Sequence, residues 1–133
     1  MDGYRRVVAG IVEKDGLVLI GRKKHDPGHF LSNEWHIPGG KALPEETDEQ
    51  ALIREMREET GLEVKVERLV DESIHEPSKR LVKWYFCRPL AGTLNPKDDL
   101  VDARFVSKSQ ALSMYSKIGI SLMPEKVLEY LRN

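Results

Sequence analysis

A chain of 133 residues with 40% hydrophobic and 32% charged content is long enough to bury one core, and we predict a single domain over residues 1–133. The 21 basic and 22 acidic residues give a formal net charge of -1, which argues against general attraction to DNA or to an anionic membrane. Cys87 is the single cysteine and excludes an internal disulfide framework. Since residues 1–6 also lack an apolar signal segment, we predict a cytoplasmic protein outside the membrane.

The first predicted element is a β-hairpin. Residues 4–14 and 17–22 are rich in Val, Ile and Leu, and Asp15 and Gly16 between them are typical of a tight hairpin turn. Residues 23–34 show no sustained periodicity and contain proline, glycine, serine and asparagine, so they predict a surface loop.

A short strand candidate at residues 35–37 precedes Pro38, Gly39 and Gly40. Proline lacks an amide donor and glycine tolerates positive φ, so this tripeptide is predicted to interrupt regular structure. The interruption would lie directly before the segment that leads into the next helix.

A helix is predicted to begin after Thr47 and to end at Gly61. Gln50 lies three residues after Thr47, which is the spacing of a capping box, and glycine is common just after a last helical turn. Three apolar side chains of this helix fall on one arc at 100° per residue and are predicted to face a core. They are Leu52, Ile53 and Met56.

The rest of the chain predicts three strands and two helices. The strand candidates cover residues 62–74, 81–90 and 103–106. Ser107 is suited to cap a helix that runs to about residue 115, and Pro124 is suited to the first turn of a helix over residues 125–131. Strands mixed with a few helices indicate an α/β or α+β domain in which helices flank a mixed sheet.

Three glutamates of the first predicted helix share one side of it. With Glu55 at 0° on the helical wheel, Glu58 lies at about -60° and Glu59 at about 40°. Like charges at this spacing repel each other, and a divalent cation with oxygen ligands such as Mg²⁺ would offset the repulsion. Arg54 can pair with Glu58 or reach Glu46 and hold a carboxylate in register. The alternative for three glutamates alone is the solvated face of a surface helix.

The full spacing is more specific than the glutamates alone. Residues 40–62 fit G-x5-E-x7-R-E-U-x-E-E-x-G-U at every specified position, where U is a bulky aliphatic residue. This pattern resembles the Nudix box, and the strand pair before it and the strands and helix after it resemble the wider layout of the Nudix family. The resemblance implies an α/β/α sandwich with a mixed sheet flanked by helices, and hydrolysis of a phosphoanhydride bond in a nucleoside diphosphate linked to another moiety.

The resemblance also implies the functional residues of the box. The implied cofactor is Mg²⁺, with Mn²⁺ as a substitute, and the implied ligands are Glu55, Glu58, Glu59 and the carbonyl group of Gly39 or Gly40. Arg54 and Glu46 match the pair that orients these ligands in the family. Gly39 and Gly40 are also expected to contact the substrate.

Two carboxylates are candidates for the residue that takes a proton from the attacking water. Glu55 is one candidate within the box. Some family members use an acidic residue six positions before an aromatic residue, and counting back from Phe105 gives Asp99. Here the residue is Asp where Glu is usual, and Asp98 and Asp102 are neighbours, so a solvated acidic turn is the alternative.

Arg22 ends the second predicted strand, where several members of the family place an arginine that contacts phosphate. Lys23 and Lys24 follow it, and a local basic cluster would explain how a nearly neutral protein attracts a polyanion. A charged strand end is the alternative.

The remaining aromatic and histidine residues are predicted to be structural. Trp84, Tyr85 and Phe86 lie in a predicted strand and are expected in the core, with stacking on a base as the alternative. His36 and His75 are predicted to have structural or incidental roles.

The short, compact layout resembles the MutT-type enzymes that convert a (d)NTP to a (d)NMP and pyrophosphate, and we predict that activity on a small nucleotide. The alternatives are an ADP-ribose or nucleotide-sugar pyrophosphatase and a catalytically silent module that binds nucleotide or RNA. An isomerase on the same fold would need a cysteine before the box, whereas Cys87 follows it. Family members often pair, so a homodimer is also compatible with the resemblance.

Overall fold

The computed structural model describes residues 3–133, which form seven strands and four helices. The strands are β1 (Arg5–Lys14), β2 (Leu17–Lys23), β3 (Trp35–His36), β4 (Gly39–Lys41), β5 (Glu63–His75), β6 (Arg80–Ala91) and β7 (Leu100–Val106). The helices are α1 (Asp48–Thr60), α2 (Lys108–Met114), α3 (Lys117–Ser121) and α4 (Glu125–Arg132).

Strand β1 is central to a mixed sheet. It pairs antiparallel with β4 on one side and parallel with β6 on the other, and β5 pairs antiparallel with β6 at the edge. The predicted hairpin is confirmed, since β2 follows β1 through Asp15 and Gly16 at φ 52° and 77°, which suits a tight turn of this type. Strand β2 continues the sheet through antiparallel pairing with β3 and β7.

Helices cover both faces of the sheet because alternate residues of β1 point to opposite sides. Val8 and Val12 are buried in one cluster with Leu52 of α1, whereas Ile11 is buried in another cluster with Val127 of α4. Two apolar layers therefore enclose the sheet, which confirms the predicted α/β/α sandwich.

The predicted boundaries of helix α1 are confirmed. Thr47 and Gln50 exchange both hydrogen bonds of a capping box, and Gly61 ends the helix at a φ of 77°. Leu52 and Met56 are buried as predicted, whereas Ile53 is only partly buried at the margin of the same cluster. The capped start and the apolar face together fix how the glutamates of α1 point.

The prediction that residues 38–40 interrupt regular structure is wrong for the two glycines. Gly39 and Gly40 lie in β4 and pair with Ala9 and Val8 of β1. Neither glycine has a positive φ. A Cβ atom on Gly39 would lie 2.0 Å from the carbonyl oxygen of Val8, so glycine is required here for close backbone approach.

The C-terminal region contains a helix that the sequence pattern did not reveal. Helix α3 has five residues, is capped by the Ser116 side chain and contains Gly119, so it is too short for a periodic signal. Pro124 is the N-cap residue of α4 and precedes its first turn. Within residues 3–133, no helix is both long enough and apolar enough to cross a membrane.

Candidate active site

A cavity of about 280 Å³ lies between the sheet, the loop before β3 and the side of α1. Its floor includes Val7 of β1 together with Val82 and Trp84 of β6, and Phe30 of the loop contributes to the opposite wall. Ionisable side chains from several elements also line it, including Glu55, Glu59, Asp99, Lys23, Lys41 and Arg80. The cavity therefore joins an apolar floor to charged walls of both signs.

Two glutamates of α1, which we call the carboxylate pair, lie one helical turn apart on the cavity wall. The Glu55 side chain is 12% exposed and Glu59 is 6% exposed. Burial raises the pKa of Glu55, and burial followed by the charges of Glu55 and Asp99 raises the pKa of Glu59 to about 9. Burial therefore disfavours the charged form of both glutamates, and neighbouring carboxylates add to the effect.

Glu58 is placed differently from the carboxylate pair. Its side chain is 48% exposed, does not line the cavity, and accepts a hydrogen bond of 3.1 Å from Nη1 of Arg54. Within residues 3–133, no three acidic, histidine or cysteine side chains come close enough to hold one ion together. The structure thus brings together two of the three predicted ligands, and a ligand role for Glu58 stays a prediction.

Arg54 connects the loop before α1 to the glutamates of the helix. Its Nε and Nη2 atoms donate to the two carboxylate oxygens of Glu46 at 2.7 and 2.8 Å, and Nη1 donates to Glu55 at 3.1 Å. Nη2 also donates to the carbonyl oxygen of Lys41 in β4. The Arg54 guanidinium lowers the pKa of Glu46 to about 2, so this carboxylate stays ionised as an anchor. Both partners predicted for Arg54, Glu46 and Glu58, are present.

A second polar network holds the start of α1, and the sequence pattern did not reveal it. Asp48 accepts hydrogen bonds from Arg6 and from the hydroxyl group of Tyr85, and its carboxylate lies 3.3 Å from Nζ of Lys83. Arg6 also donates to the carbonyl oxygen of Glu46. Strands β1 and β6 therefore position both the first turn of α1 and the loop that carries Glu46.

Gly40 allows the carboxylate pair to approach the sheet. A Cβ atom on Gly40 would lie 2.5 Å from the carboxylate carbon of Glu55, so only glycine leaves room for that side chain. Gly39 and Gly40 both line the cavity, and their contact with substrate stays a prediction. A ligand role for either carbonyl group stays a prediction.

Asp99 lines the same cavity, in the turn just before β7. Its carboxylate lies 3.3 Å from Nζ of Lys24 and 3.9 Å from Nζ of Lys23, and its side chain is 54% exposed. The charge of Asp99 helps to raise the pKa of Glu55 and Glu59. The structure thus places Asp99 beside the carboxylate pair, although two lysines already partly neutralise it.

Lys23, and not Arg22, reaches the cavity from the end of β2. Neighbouring residues of a strand point to opposite faces, and Arg22 lies between Trp35 of β3 and Asp102 of β7. Lys23 is buried and lies 3.5 Å from Asp26. Of the three basic residues predicted to attract a polyanion, Arg22, Lys23 and Lys24, only Lys23 lines the cavity.

The sequence pattern predicted no site at the other end of the cavity. The Phe30 ring lies 4.6 Å from the rings of His29 and His75, and the guanidinium of Arg80 lies 5.2 Å from the centre of Phe30. His36 and His75 both line the cavity, and their structural or incidental role stays a prediction. Only the sheet register, which pairs His75 with Arg80, brings these residues together.

Trp84 belongs to both the core and the cavity floor. It is 7% exposed within the cluster packed under α2 and α4, which confirms the predicted core position. Its indole nitrogen donates a hydrogen bond of 2.9 Å to Ser73. This part of the floor is therefore apolar, since the polar edge of the indole is already hydrogen-bonded.

The carboxylate pair fits a hard divalent cation. Among residues 3–133, no lysine, arginine or histidine nitrogen lies within 4.0 Å of Glu59, and burial is the main cause of the raised pKa of both glutamates. Mg²⁺ prefers oxygen ligands and is typically held by one or two carboxylates, with water and substrate phosphates completing its shell. These residues could hold Mg²⁺ beside a phosphate chain in the cavity.

The metal-free protein should lose stability as the pH rises from about 4.5 to about 9. The unfolded chain releases the Glu59 proton near the ordinary pKa of 4.5, whereas the folded chain keeps it until about 9. Unfolding therefore releases a proton within this window. The contribution of Glu59 to the free energy of unfolding is fully present below pH 4.5, and it is lost as the pH rises, with a slope of at most about 1.4 kcal/mol per pH unit. Thermal unfolding in EDTA should show a weaker pH dependence for Glu59→Gln than for the wild type, and equal slopes would contradict the burial argument.

Comparisons with known proteins agree with this geometry. The family model described as NUDIX domain matches residues 3–125. The chain is 38% identical over 76 residues to a CTP pyrophosphohydrolase of Escherichia coli, covering 57% of this chain and 55% of that protein. It is 33% identical over 102 residues to an ADP-ribose pyrophosphatase of Methanocaldococcus jannaschii, covering 74% of this chain and 59% of that protein. The chain thus spans less than two thirds of the length of either relative.

Solved structures show the same architecture. The solution structure of the E. coli ORF135 protein superimposes with a TM-score of 0.72 and 30% sequence identity, covering 95% of this chain and 89% of that one. A NUDIX hydrolase from Nitrosomonas europaea has a TM-score of 0.80 at 17% identity, covering 99% of this chain and 72% of that one, and shows the fold alone. With the family match across residues 3–125 and the box residues assembled beside one cavity, the chain belongs to the NUDIX domain family.

Proposed function

We propose that this chain is a Mg²⁺-dependent hydrolase that cleaves a phosphoanhydride bond of a nucleoside diphosphate derivative, and that its substrates are nucleoside triphosphates converted to a monophosphate and pyrophosphate. One observation carries the proposal. Glu55 and Glu59 lie together on a cavity wall with raised pKa values, and Arg54 and Gly40 hold Glu55 in place. The relatives named as a CTP pyrophosphohydrolase and an 8-oxo-dGTP diphosphatase support the choice of triphosphates.

Each residue of the site has a distinct part in the proposed reaction. Glu55, Glu59 and a carbonyl group of β4 would hold the metal, and Glu58 would support them through its bond to Arg54, with direct binding of the ion by Glu58 as the alternative. When bound, such an ion offsets phosphate charge and lowers the pKa of a coordinated water. Arg54 keeps the glutamate side chains in register through Glu46. The apolar floor at Val82 and Trp84 would receive the base.

The proton of the attacking water needs an acceptor among the carboxylates. A general base works best when its pKa lies near the working pH, and burial raises the pKa of Glu55 in that direction. Asp99 is 54% exposed and lies within 4.0 Å of two lysines, so its carboxylate is already engaged in ion pairs. We therefore assign the base role to Glu55 and a charge-balancing role to Asp99.

A substrate panel tests the proposed function. Wild-type protein would be incubated with NTPs, dNTPs, ADP-ribose, nucleotide sugars and dinucleoside polyphosphates in Mg²⁺, in Mn²⁺ and in EDTA, and the products would be separated by ion-exchange chromatography. We expect nucleoside monophosphate and pyrophosphate from triphosphates in the presence of metal only. The absence of monophosphate across the panel would contradict an enzymatic role and favour a silent binding module.

A second candidate is hydrolysis of ADP-ribose or a nucleotide sugar. The relative named as an ADP-ribose pyrophosphatase favours it, because its match covers 74% of this chain. Release of AMP from ADP-ribose at a higher kcat/KM than from ATP would select this candidate. The single-domain organisation, the cytoplasmic location and the homodimer stay predictions, to be tested by limited proteolysis, by imaging of the tagged protein and by analytical ultracentrifugation.

A further inference from the structure

Three cationic side chains lie where the cavity meets a neighbouring cleft, and we call them the basic end: Arg5, Lys41 and Arg80. Arg5 of β1 pairs directly with Arg80 of β6, and Lys41 of β4 pairs with Val7, two residues after Arg5. Residues paired across strands, and residues two apart within a strand, share one face of a sheet. The register therefore directs all three side chains to the face that carries Val7, which lines the cavity.

The ion pairs within residues 3–133 leave the basic end without an acidic partner. Neighbouring cations do have partners, because Arg6 binds Asp48 and Lys79 binds Glu76. Burial and then the charge of Arg5 lower the pKa values of both Lys41 and Arg80. Three cations thus repel each other in a place where a bound anion would stabilise them.

A second cleft adjoins the cavity at the basic end. This cleft of about 450 Å³ is lined by Tyr4, Arg5 and Leu43, among others, and it shares Lys41 with the catalytic cavity. Lys41 can therefore be approached from both openings, and Arg5 from the second cleft. An anionic chain that leaves the carboxylate pair has space to continue toward this opening.

The basic end lies within reach of a phosphate chain held at the carboxylate pair. Lys41 and Arg80 line the same cavity as Glu55 and Glu59, so a phosphate chain held in that cavity can contact both groups. Arg5 pairs with Arg80 and lines the adjoining cleft with Lys41, so it can contact the end of such a chain.

We propose that Arg5, Lys41 and Arg80 bind the terminal phosphate groups of a nucleoside triphosphate, which makes a free distal phosphate the feature that this enzyme selects. The proposal rests on the proposed function. A free terminal phosphate carries more charge than a phosphate capped by a neutral sugar, so three cations without acidic partners favour the former. Substrates that end in a sugar would gain little from the basic end.

Steady-state kinetics on matched substrates test this selection. The substrates would be a nucleoside triphosphate and a nucleotide sugar with the same base, assayed with wild type, Arg5→Gln, Arg80→Gln and Arg88→Gln. Arg88 is the matched control, because it lies on the same strand as Arg80 and pairs with the exposed Glu67. Each charge-assisted phosphate contact should contribute about 10-fold or more. We expect Arg5→Gln and Arg80→Gln to raise KM for the triphosphate by that factor with little change in kcat, and to leave the sugar substrate unaffected.

Binding of inorganic tripolyphosphate provides a readout that does not depend on turnover. Calorimetry in EDTA should show binding to wild type and Arg88→Gln, and weaker binding to the Arg5→Gln, Arg80→Gln double variant, with thermal melts confirming that each variant is folded. If wild type hydrolyses no nucleotide, the proposed function fails, and tripolyphosphate binding still decides the present inference. Equal kinetic losses on both substrates would overturn the inference. Equal affinities of wild type and the double variant for tripolyphosphate would also overturn it. A preference for dinucleoside polyphosphates would also overturn it, since the second cleft would then hold a nucleoside.

Discussion

Replacing Glu59 with glutamine should reduce Mg²⁺-dependent hydrolysis by about 10³-fold or more, since a catalytic ion is worth several kcal/mol of transition-state stabilisation. Glutamine keeps the shape of the side chain but removes the negative charge that binds a divalent cation. Glu59 is 6% exposed, so the variant should also fold at least as stably as metal-free wild type at pH 8, because the wild-type chain must take up a proton to bury Glu59 at that pH and glutamine needs none. Measurement of kcat/KM across a Mg²⁺ titration, together with thermal unfolding, would check both effects.

Glu58→Gln is the matched control for Glu59→Gln, one residue away on the same helix. Its side chain is 48% exposed and bonded to Arg54 outside the cavity, so we expect a loss of about 10-fold, the scale of one misplaced supporting contact. Equal losses in the two variants would show that Glu58 leaves Arg54 and binds the ion as directly as Glu59. In that case the distinction between the carboxylate pair and Glu58 would have to be abandoned.

Alanine substitutions at the adjacent glycines of β4 should have opposite consequences. In Gly39→Ala the new Cβ atom would lie 2.0 Å from the carbonyl oxygen of Val8, which cannot move without breaking the pairing of β1 and β4. We expect a loss of about 3 kcal/mol in the free energy of unfolding, or a fall in Tm of about 10 °C. Circular dichroism melts would measure it.

In Gly40→Ala the new Cβ atom would lie 2.5 Å from the Glu55 carboxylate, which is the mobile end of a side chain. The fold should therefore tolerate the change with a much smaller shift in Tm, while displacement of Glu55 reduces kcat by about 10²-fold, as expected for a catalytic group moved by about 1 Å. Each variant acts as the control for the other. A stable, fully active Gly40→Ala protein would contradict the placement of Glu55 against β4.

Short-range features of this molecule could be predicted from the sequence because they depend on residues only a few positions apart. The capping box of Thr47 and Gln50 and the turn at Asp15 and Gly16 are local hydrogen-bond and backbone requirements, and the structure contains both. The box spacing of residues 40–62 predicted the family and, through it, the sandwich fold. The pairing of Arg54 with Glu46 also followed from that spacing, since the two residues belong to one motif.

Only the tertiary structure determined which glutamates of α1 are buried at the cavity and which one is exposed. Their angles on the helical wheel were known from the sequence, but burial against β4 and the turn before β7 separates Glu55 and Glu59 from the exposed Glu58. The same holds for Gly39, where a close strand and not a positive φ requires glycine.

The basic end shows the limit of local reasoning most clearly, because Arg5 and Arg80 are neighbours only through the register of β1 and β6. Spacing along the chain determines which side chains a single element presents together. The partner strand, the burial and the ionisation of those side chains depend on the packing of distant segments, and that packing assembles the cavity.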